Sequence, residues 1–316
     1  MRYVFLLLQI LFGLFFIASG LLKLDPIETF ELTFVDLGVS SWKLAPFLAR
    51  TIIGYELVLG VLLVTNLSTK RVLKQSFGLL VFFTIYLLFL WVTKGDEGNC
   101  GCLGARFSLT PSESIMKNVL LLGVNILLFK RSLKFQLPYP QVFTLILVLA
   151  GLVLPYVLNP INFSQDNLYD VELPYAIDYL NEVPGPVING DTVNMAKGEK
   201  IIAVLSLTCQ HCKHAAYKLA IAARKYKLPP IYFIFKGAKS EKIKAGLDKK
   251  KDAFFKESNS LFPFVYFHDD RIFKMAKGIF PTILHVKDTN VWHVWHGSSL
   301  TYDALENLET AIGENQ

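Results

Sequence analysis

The stretch Ile201-Ile202-Ala203-Val204-Leu205-Ser206-Leu207-Thr208-Cys209-Gln210-His211-Cys212-Lys213-His214-Ala215-Ala216 decides how the C-terminal half folds. Ile201 to Leu207 is a nearly unbroken apolar run of strand length, and Lys213 to Lys227 carries apolar residues at helical spacing. Two cysteines separated by two residues therefore sit where a buried strand hands over to a helix. The first sulfur then lies at a helix N-terminus, where the partial positive charge of the unpaired N–H groups favours thiolate over thiol. Cys209 reads as the attacking nucleophile and Cys212 as the residue that resolves the mixed disulfide.

Outward from this stretch the chain changes character. Hydrophobic side chains make up 53% of its 316 residues and the mean hydropathy is +0.41, more apolar than a soluble enzyme usually is. The long uncharged runs lie before Asn159, which places a boundary near Pro160. Thirteen Lys/Arg and eight Asp/Glu fall before Leu158, and nineteen and eighteen fall after it, so the basic excess belongs to the apolar half. That distribution leaves no basic stripe for nucleic acid and reads as a topology signal.

Five segments are long and apolar enough to cross a bilayer, which takes roughly 20 residues of helix: about Tyr3 to Leu22, Phe47 to Leu67, Gln75 to Thr93, Ser114 to Phe129 and Val142 to Leu158. A cleaved signal peptide is the other reading of the first, but its run is longer than such peptides carry and more spans follow. Short loops with Lys70, Arg71 and Lys74, and with Lys130, Arg131 and Lys134, alternate with acidic loops holding Asp25, Glu28, Glu31 and Asp36, then Asp96 and Glu97. Basic loops stay in the cytoplasm. Five spans then carry the loop from Lys94 to Glu113 and everything after Asn159 to the outer face.

The four cysteines come as two close pairs, Cys100-Gly101-Cys102 and Cys209/Cys212, and both pairs fall on that outer side, where disulfides persist. A disulfide between residues i and i+2 closes a small, strained ring that is easily reduced, which suits a relay better than a staple. The alternatives are two exposed thiols or a static bridge. After this pair, Thr110-Pro111-Ser112-Glu113 has the form of a capping box that starts the fourth span. Glu56 is the carboxylate placed inside a span, and it reads either as a proton carrier or as a static partner of Lys23 or Arg50.

The region from about Asn167 to Gly313 resembles the thioredoxin superfamily. The resemblance rests on Cys209-Gln210-His211-Cys212, on strands at Ile231–Phe235 and Thr282–Val286, and on Gly278-Ile279-Phe280-Pro281-Thr282. It implies that Pro281 is the cis-proline that faces the cysteine pair and presents backbone to substrate. Ala203 stands where the family places a buried acid, and Leu207-Thr208 replaces its aromatic approach. His211 stands where oxidising members of the DsbA kind carry histidine, which points to an oxidant. A structural disulfide or zinc knuckle is the competing reading of the pair, and copper or zinc handling is a competing use of the six histidines.

Phe16-Ile17-Ala18-Ser19-Gly20-Leu21-Leu22-Lys23, Gly54-Tyr55-Glu56-Leu57-Val58-Leu59-Gly60 and Cys100-Gly101-Cys102-Leu103-Gly104 ahead of Lys117-Asn118 together resemble the MauE/DoxX group of small helical membrane proteins. MauE proteins are associated with methylamine utilisation and maturation of a disulfide-rich dehydrogenase subunit, and DoxX-type proteins include part of a quinone-linked thiosulfate oxidoreductase. The resemblance thus implies a four-helix membrane domain at residues 1–133, a fifth span and linker at 134–166, and a thioredoxin-like domain at 167–316. The expected whole is a helical transmembrane bundle of about five spans followed by an α/β thioredoxin-like fold. It would be a multi-pass inner-membrane protein with its C-terminal domain in the periplasm, exchanging disulfides with envelope protein thiols at Cys209/Cys212. Cys100 and Cys102 would link that pair to a membrane electron carrier, with quinone as the carrier class and Glu56 handling protons. A membrane-anchored metallochaperone and a MauE-type maturation scaffold are the rival functions.

Overall fold

A computed structural model describes residues 2–67, 69–96, 104, 109–130, 140–161, 172–237, 241–297 and 299–313. The chain divides into two compact units, Met1–Ile161 and Asn162–Gln316.

The first unit is helical: α1 (Arg2–Leu24), α2 (Ile27–Asp36), α3 (Ala45–Val64), α4 (Thr69–Lys94), α5 (Pro111–Lys130) and α6 (Pro140–Leu158). All but α2 are long and apolar enough to span a membrane. Their ends follow local chemistry. Pro46 sits in the first turn of α3, where its missing N–H costs nothing. The capping box forms at α5: Thr110 N donates to Glu113 Oε2 at 2.9 Å, and Glu113 N donates to Thr110 Oγ1 at 3.4 Å.

Small residues let the helices close up. A Cβ on Gly13 would lie 2.8 Å from the Gly60 carbonyl, which brings α1 onto α3, and a Cβ on Gly54 would lie 2.9 Å from the Gly151 carbonyl, which seats α6 against α3. One element departs from expectation. The acid-rich segment after Pro26 is not a plain loop but the helix α2, with Phe30, Leu32, Phe34 and Val35 buried. Its Glu31 is buried as well, because Arg50 of α3 donates to it, and Arg50 also donates to the Asn159 carbonyl at 2.7 Å.

The second unit is an α/β domain. Its strands are β1 (Tyr175–Ala176), β2 (Val187–Ile188), β3 (Asp191–Thr192), β4 (Glu199–Leu205), β5 (Ile231–Lys236), β6 (Phe264–Phe267), β7 (Thr282–Lys287) and β8 (Asn290–His296). Its helices are α7 (Gln210–Lys225), α8 (Glu241–Ser258), α9 (Arg271–Met275), α10 (Tyr302–Glu306) and α11 (Leu308–Gly313). The six-stranded sheet has the order β1-β8-β7-β4-β5-β6, with β4, β5 and β6 parallel and β7 and β8 antiparallel to their neighbours. A βαβ unit built on the cysteine helix, followed by a β-hairpin on the other side of the central strand, is the thioredoxin-like arrangement.

Alternation along the strands sorts the core into two layers. Ile202, Val204, Ile234, Leu284 and Val286 pack with Ile272 and Met275 of the α9 region. On the opposite face Phe233 and Phe235 pack against Phe254 and Phe255 of α8. The central strand β4 is buried almost end to end, which explains its unbroken apolar sequence.

Candidate functional site

β4 ends at Leu205, two residues earlier than the apolar run indicates, and α7 begins at Gln210, three residues earlier than Lys213. Ser206 to Thr208 make the turn. Cys209 is therefore the N-cap residue of α7, with extended backbone (φ −84°, ψ 122°), and its carbonyl accepts from Lys213 N at 3.3 Å to open the helix. Cys212 lies one turn in and is fully buried, while Cys209 is part-exposed. Both are free thiols. Only the residue at the helix mouth is accessible to a partner.

The electrostatics separate the two sulfurs. The Cys212 thiol donates to Cys209, backbone N–H groups of Cys212 and His211 point at the same sulfur, and the His211 ring adds a favourable charge. Against the opposing cost of burial, these bring the Cys209 thiol down to about 6. Cys212 moves the opposite way, because its hydrogen bond to Cys209 holds its proton and burial disfavours its charge. Ser206 N also donates to Cys212 Sγ at 3.3 Å, so this sulfur is held at the end of β4. The pair is thus poised with one thiolate outside and one protonated thiol beneath it.

Pro281 lies at the same end of the sheet. Thr282 pairs with Val204 across β7 and β4, so the residue before it stands at the level where β4 gives way to the Cys209 turn. The Phe280–Pro281 peptide is cis. The following residue pins this loop: Thr282 Oγ1 donates towards the carbonyls of Ile279 (2.7 Å) and Ala276 (3.1 Å), and sits 2.8 Å from His296 Nδ1 on β8. A hydroxyl has one proton to give, so His296 Nδ1 is the donor in that contact. Burial, then Lys277, lowers the His296 pKa and keeps the ring neutral. Thr282 and His296 were not legible as loop-holding residues in the sequence, although the Pro-Thr dipeptide marked the place.

In the first unit, Glu56 is held by Lys23 and not by Arg50. Lys23 Nζ donates to both carboxylate oxygens, at 2.8 and 2.7 Å, and to Ser19 Oγ at 2.8 Å, and all three side chains are buried. A cavity of about 20 Å³ adjoins the pair, bordered by Lys117 and Asn118. That is room for about one water and too little for a quinone ring. Cys100 and Cys102 lie outside the described residues. The chain on either side of them is held: the Asp96 carboxylate accepts from Ser112 N and Oγ at 2.8 and 2.7 Å, and Gly104, with φ +71°, rests so closely on the Leu22 carbonyl that a Cβ would lie 2.1 Å from it. Among the described residues no three His, Cys, Asp or Glu side chains converge as metal ligands do.

Residues 1–131 match the family described as methylamine utilisation protein MauE. The N-terminal unit therefore carries a MauE domain, and the thioredoxin-like unit follows it in the same chain. Along nearly its whole length the chain is similar to Protein TlpB of Flavobacterium psychrophilum, with 25% identity over 344 aligned positions that cover 93% of this chain and 89% of the relative. Among solved structures, a secreted Mycobacterium tuberculosis disulfide oxidoreductase homologous to E. coli DsbE aligns with 44% of this chain and 99% of its own, at 11% identity and a TM-score of 0.33. The thioredoxin domain of a Bacteroides vulgatus thiol-disulfide oxidoreductase aligns with 40% of this chain and 91% of its own, at 15% identity and a TM-score of 0.29.

Proposed function

We propose that this protein is a membrane-bound thiol–disulfide oxidoreductase working at Cys209 and Cys212. The observation that carries the reading is the division of labour at the mouth of α7: an accessible sulfur lowered to about 6 above a buried, protonated one. Acting as oxidant, the Cys209–Cys212 disulfide accepts attack by a client thiolate at Cys209, and Cys212 leaves as a thiolate that takes up a proton from water, as its raised pKa favours. A second client thiolate then attacks the mixed disulfide, releasing Cys209 as its thiolate and the client as a disulfide. Stabilising that thiolate favours the reduced pair, which makes the disulfide a stronger oxidant. His211 supports the Cys209 charge and Pro281 lines the approach.

Charge in the loops supports placing the second unit on the periplasmic side of an inner membrane, with envelope proteins as clients. On that side Cys100 and Cys102 pass the equivalents on: their disulfide accepts two electrons from the Cys209/Cys212 dithiol and hands them to a membrane carrier. Glu56 serves as the partner of Lys23 that ties α1 to α3.

The test is a Cys212→Ser variant in native membranes, mapped under non-reducing conditions. Mixed disulfides from Cys209 to client proteins support the exchange reaction, and one from Cys209 to Cys100 or Cys102 supports the relay. A Cys209 that stays unlinked while a Cys209→Ser/Cys212→Ser chain retains full disulfide exchange would sink the reading.

A further inference from the structure

At the end of the helical unit formed by the start of α4 and the end of α5, an apolar groove of about 390 Å³ opens between the two helices. Leu73, Phe77, Ile126 and Phe129 line it together with Lys74 and Lys130. Phe77, Ile126 and Phe129 are each between 39 and 47% exposed. Asn125 fixes the helices beside the groove, donating to Ser76 Oγ at 2.7 Å and to the Leu73 carbonyl at 3.1 Å, so the groove is built into the α4–α5 packing.

The charge around it is one-sided. Lys70, Arg71 and Lys74 occupy the first turns of α4, and Lys130 the last turn of α5. Among the described residues neither Lys74 nor Lys130 forms an ion pair. The sequence has no carboxylate between Glu56 and Asp96, nor between Glu113 and Asp166, so these elements supply no counter-ion at this end. An apolar trough whose walls include the stems of two lysines matches an amphiphile with an anionic head, and basic pockets between transmembrane helices on the cytoplasmic side bind such headgroups.

We propose that this groove is a binding site for an anionic phospholipid of the adjacent leaflet. One acyl chain lies along Phe77 and Ile126, and the phosphate sits between Lys74 and Lys130. The site is independent of the cysteine chemistry. Its occupant would brace α4 and α5, the two helices from whose far ends the Cys100–Cys102 loop departs.

The test is native mass spectrometry of the full chain released from nanodiscs of phosphatidylcholine into which phosphatidylglycerol is titrated. One retained phosphatidylglycerol per chain is expected. Each lysine near a membrane surface contributes roughly a fivefold factor to anionic lipid binding, so Lys74→Gln/Lys130→Gln should weaken retention roughly thirtyfold. Arg71→Gln, outside the groove, should change it much less. Ile126→Trp, which fills the trough without altering charge, should also expel the lipid, and it serves as the second probe should the double variant misfold. Equal retention of phosphatidylcholine, displacement of the lipid by inorganic phosphate, capture of a neutral isoprenoid in its place, or unchanged retention in both variants would each overturn the proposal.

Discussion

Replacing Cys212 with alanine removes the largest of the contributions that hold the Cys209 thiol near 6, and the consequence can be followed through two opposing effects. At pH 7 a thiol titrating at about 6 is roughly 90% thiolate, and one at the ordinary 9.0 is roughly 1%. A full return to the ordinary value would therefore cost about ninetyfold in thiolate. The more basic thiolate is also the better nucleophile, by roughly 15- to 30-fold over three pH units at a Brønsted slope of 0.4–0.5, so the rate at pH 7 falls only about three- to sixfold. The rate at one pH is a poor readout and the midpoint of the pH profile is a good one. In a chain carrying Cys100→Ala and Cys102→Ala, iodoacetamide labelling of the Cys209 peptide, followed by mass spectrometry from pH 4 to 10, should show a wild-type midpoint at about 6. Cys212→Ala should raise it by at least one pH unit, and not all the way to 9, because the backbone N–H of His211 and its ring remain. A wild-type midpoint between 8 and 9, or an unmoved midpoint in Cys212→Ala, would refute the assignment of the Cys212 thiol as the principal donor.

The same depression fixes the sign of a stability difference. A group whose folded pKa is lowered stabilises the fold above its unfolded value and loses that contribution as pH falls, here from 9 towards 6. Thermal unfolding should therefore show the reduced protein losing stability relative to the oxidised one across that window; without screening the loss is about 4 kcal/mol, and for a part-exposed sulfur about half of that. Glu56→Gln should destabilise the helical unit by about 3–5 kcal/mol, because it leaves the buried Lys23 ammonium without its counter-charge, whereas Lys23→Met/Glu56→Met should recover most of the loss in detergent unfolding. Equal destabilisation by both variants would point to packing instead of charge. Thr282→Val strips the hydroxyl that ties Ile279, Ala276 and His296 together and should cost about 1–3 kcal/mol, read from denaturant unfolding of the second unit. Gly104→Ala combines a left-handed backbone with a clash against the Leu22 carbonyl and should cost about 1–3 kcal/mol in the first unit; a neutral outcome would argue against that seating.

Much of the architecture was legible because the signals are local and redundant. Each span is a run of apolar residues ended by charge, proline or a capping box, and the five long helices stand where those runs stand. The cysteine pair was legible for the same reason: strand, turn and helix signals are contiguous around Cys209, and Phe280-Pro281-Thr282 precedes a plain strand pattern. α2 was missed because its acids read as loop, whereas Glu31 is buried within that helix with Arg50 of α3 as its ion-pair partner.

By itself, then, the sequence determined the succession of spans, the change from membrane helices to an α/β domain, and the position of one cysteine at a helix mouth, since each depends on neighbours within a few residues. Tertiary structure alone decided which basic residue Glu56 takes, that Cys212 is sealed beneath Cys209 and donates to it, that His296 reaches across to Thr282, and that Lys74 and Lys130 share one groove. Those are contacts between side chains up to tens of residues apart, and burial sets their energies: it makes an unpaired charge costly, holds a proton on one sulfur and takes it from the other.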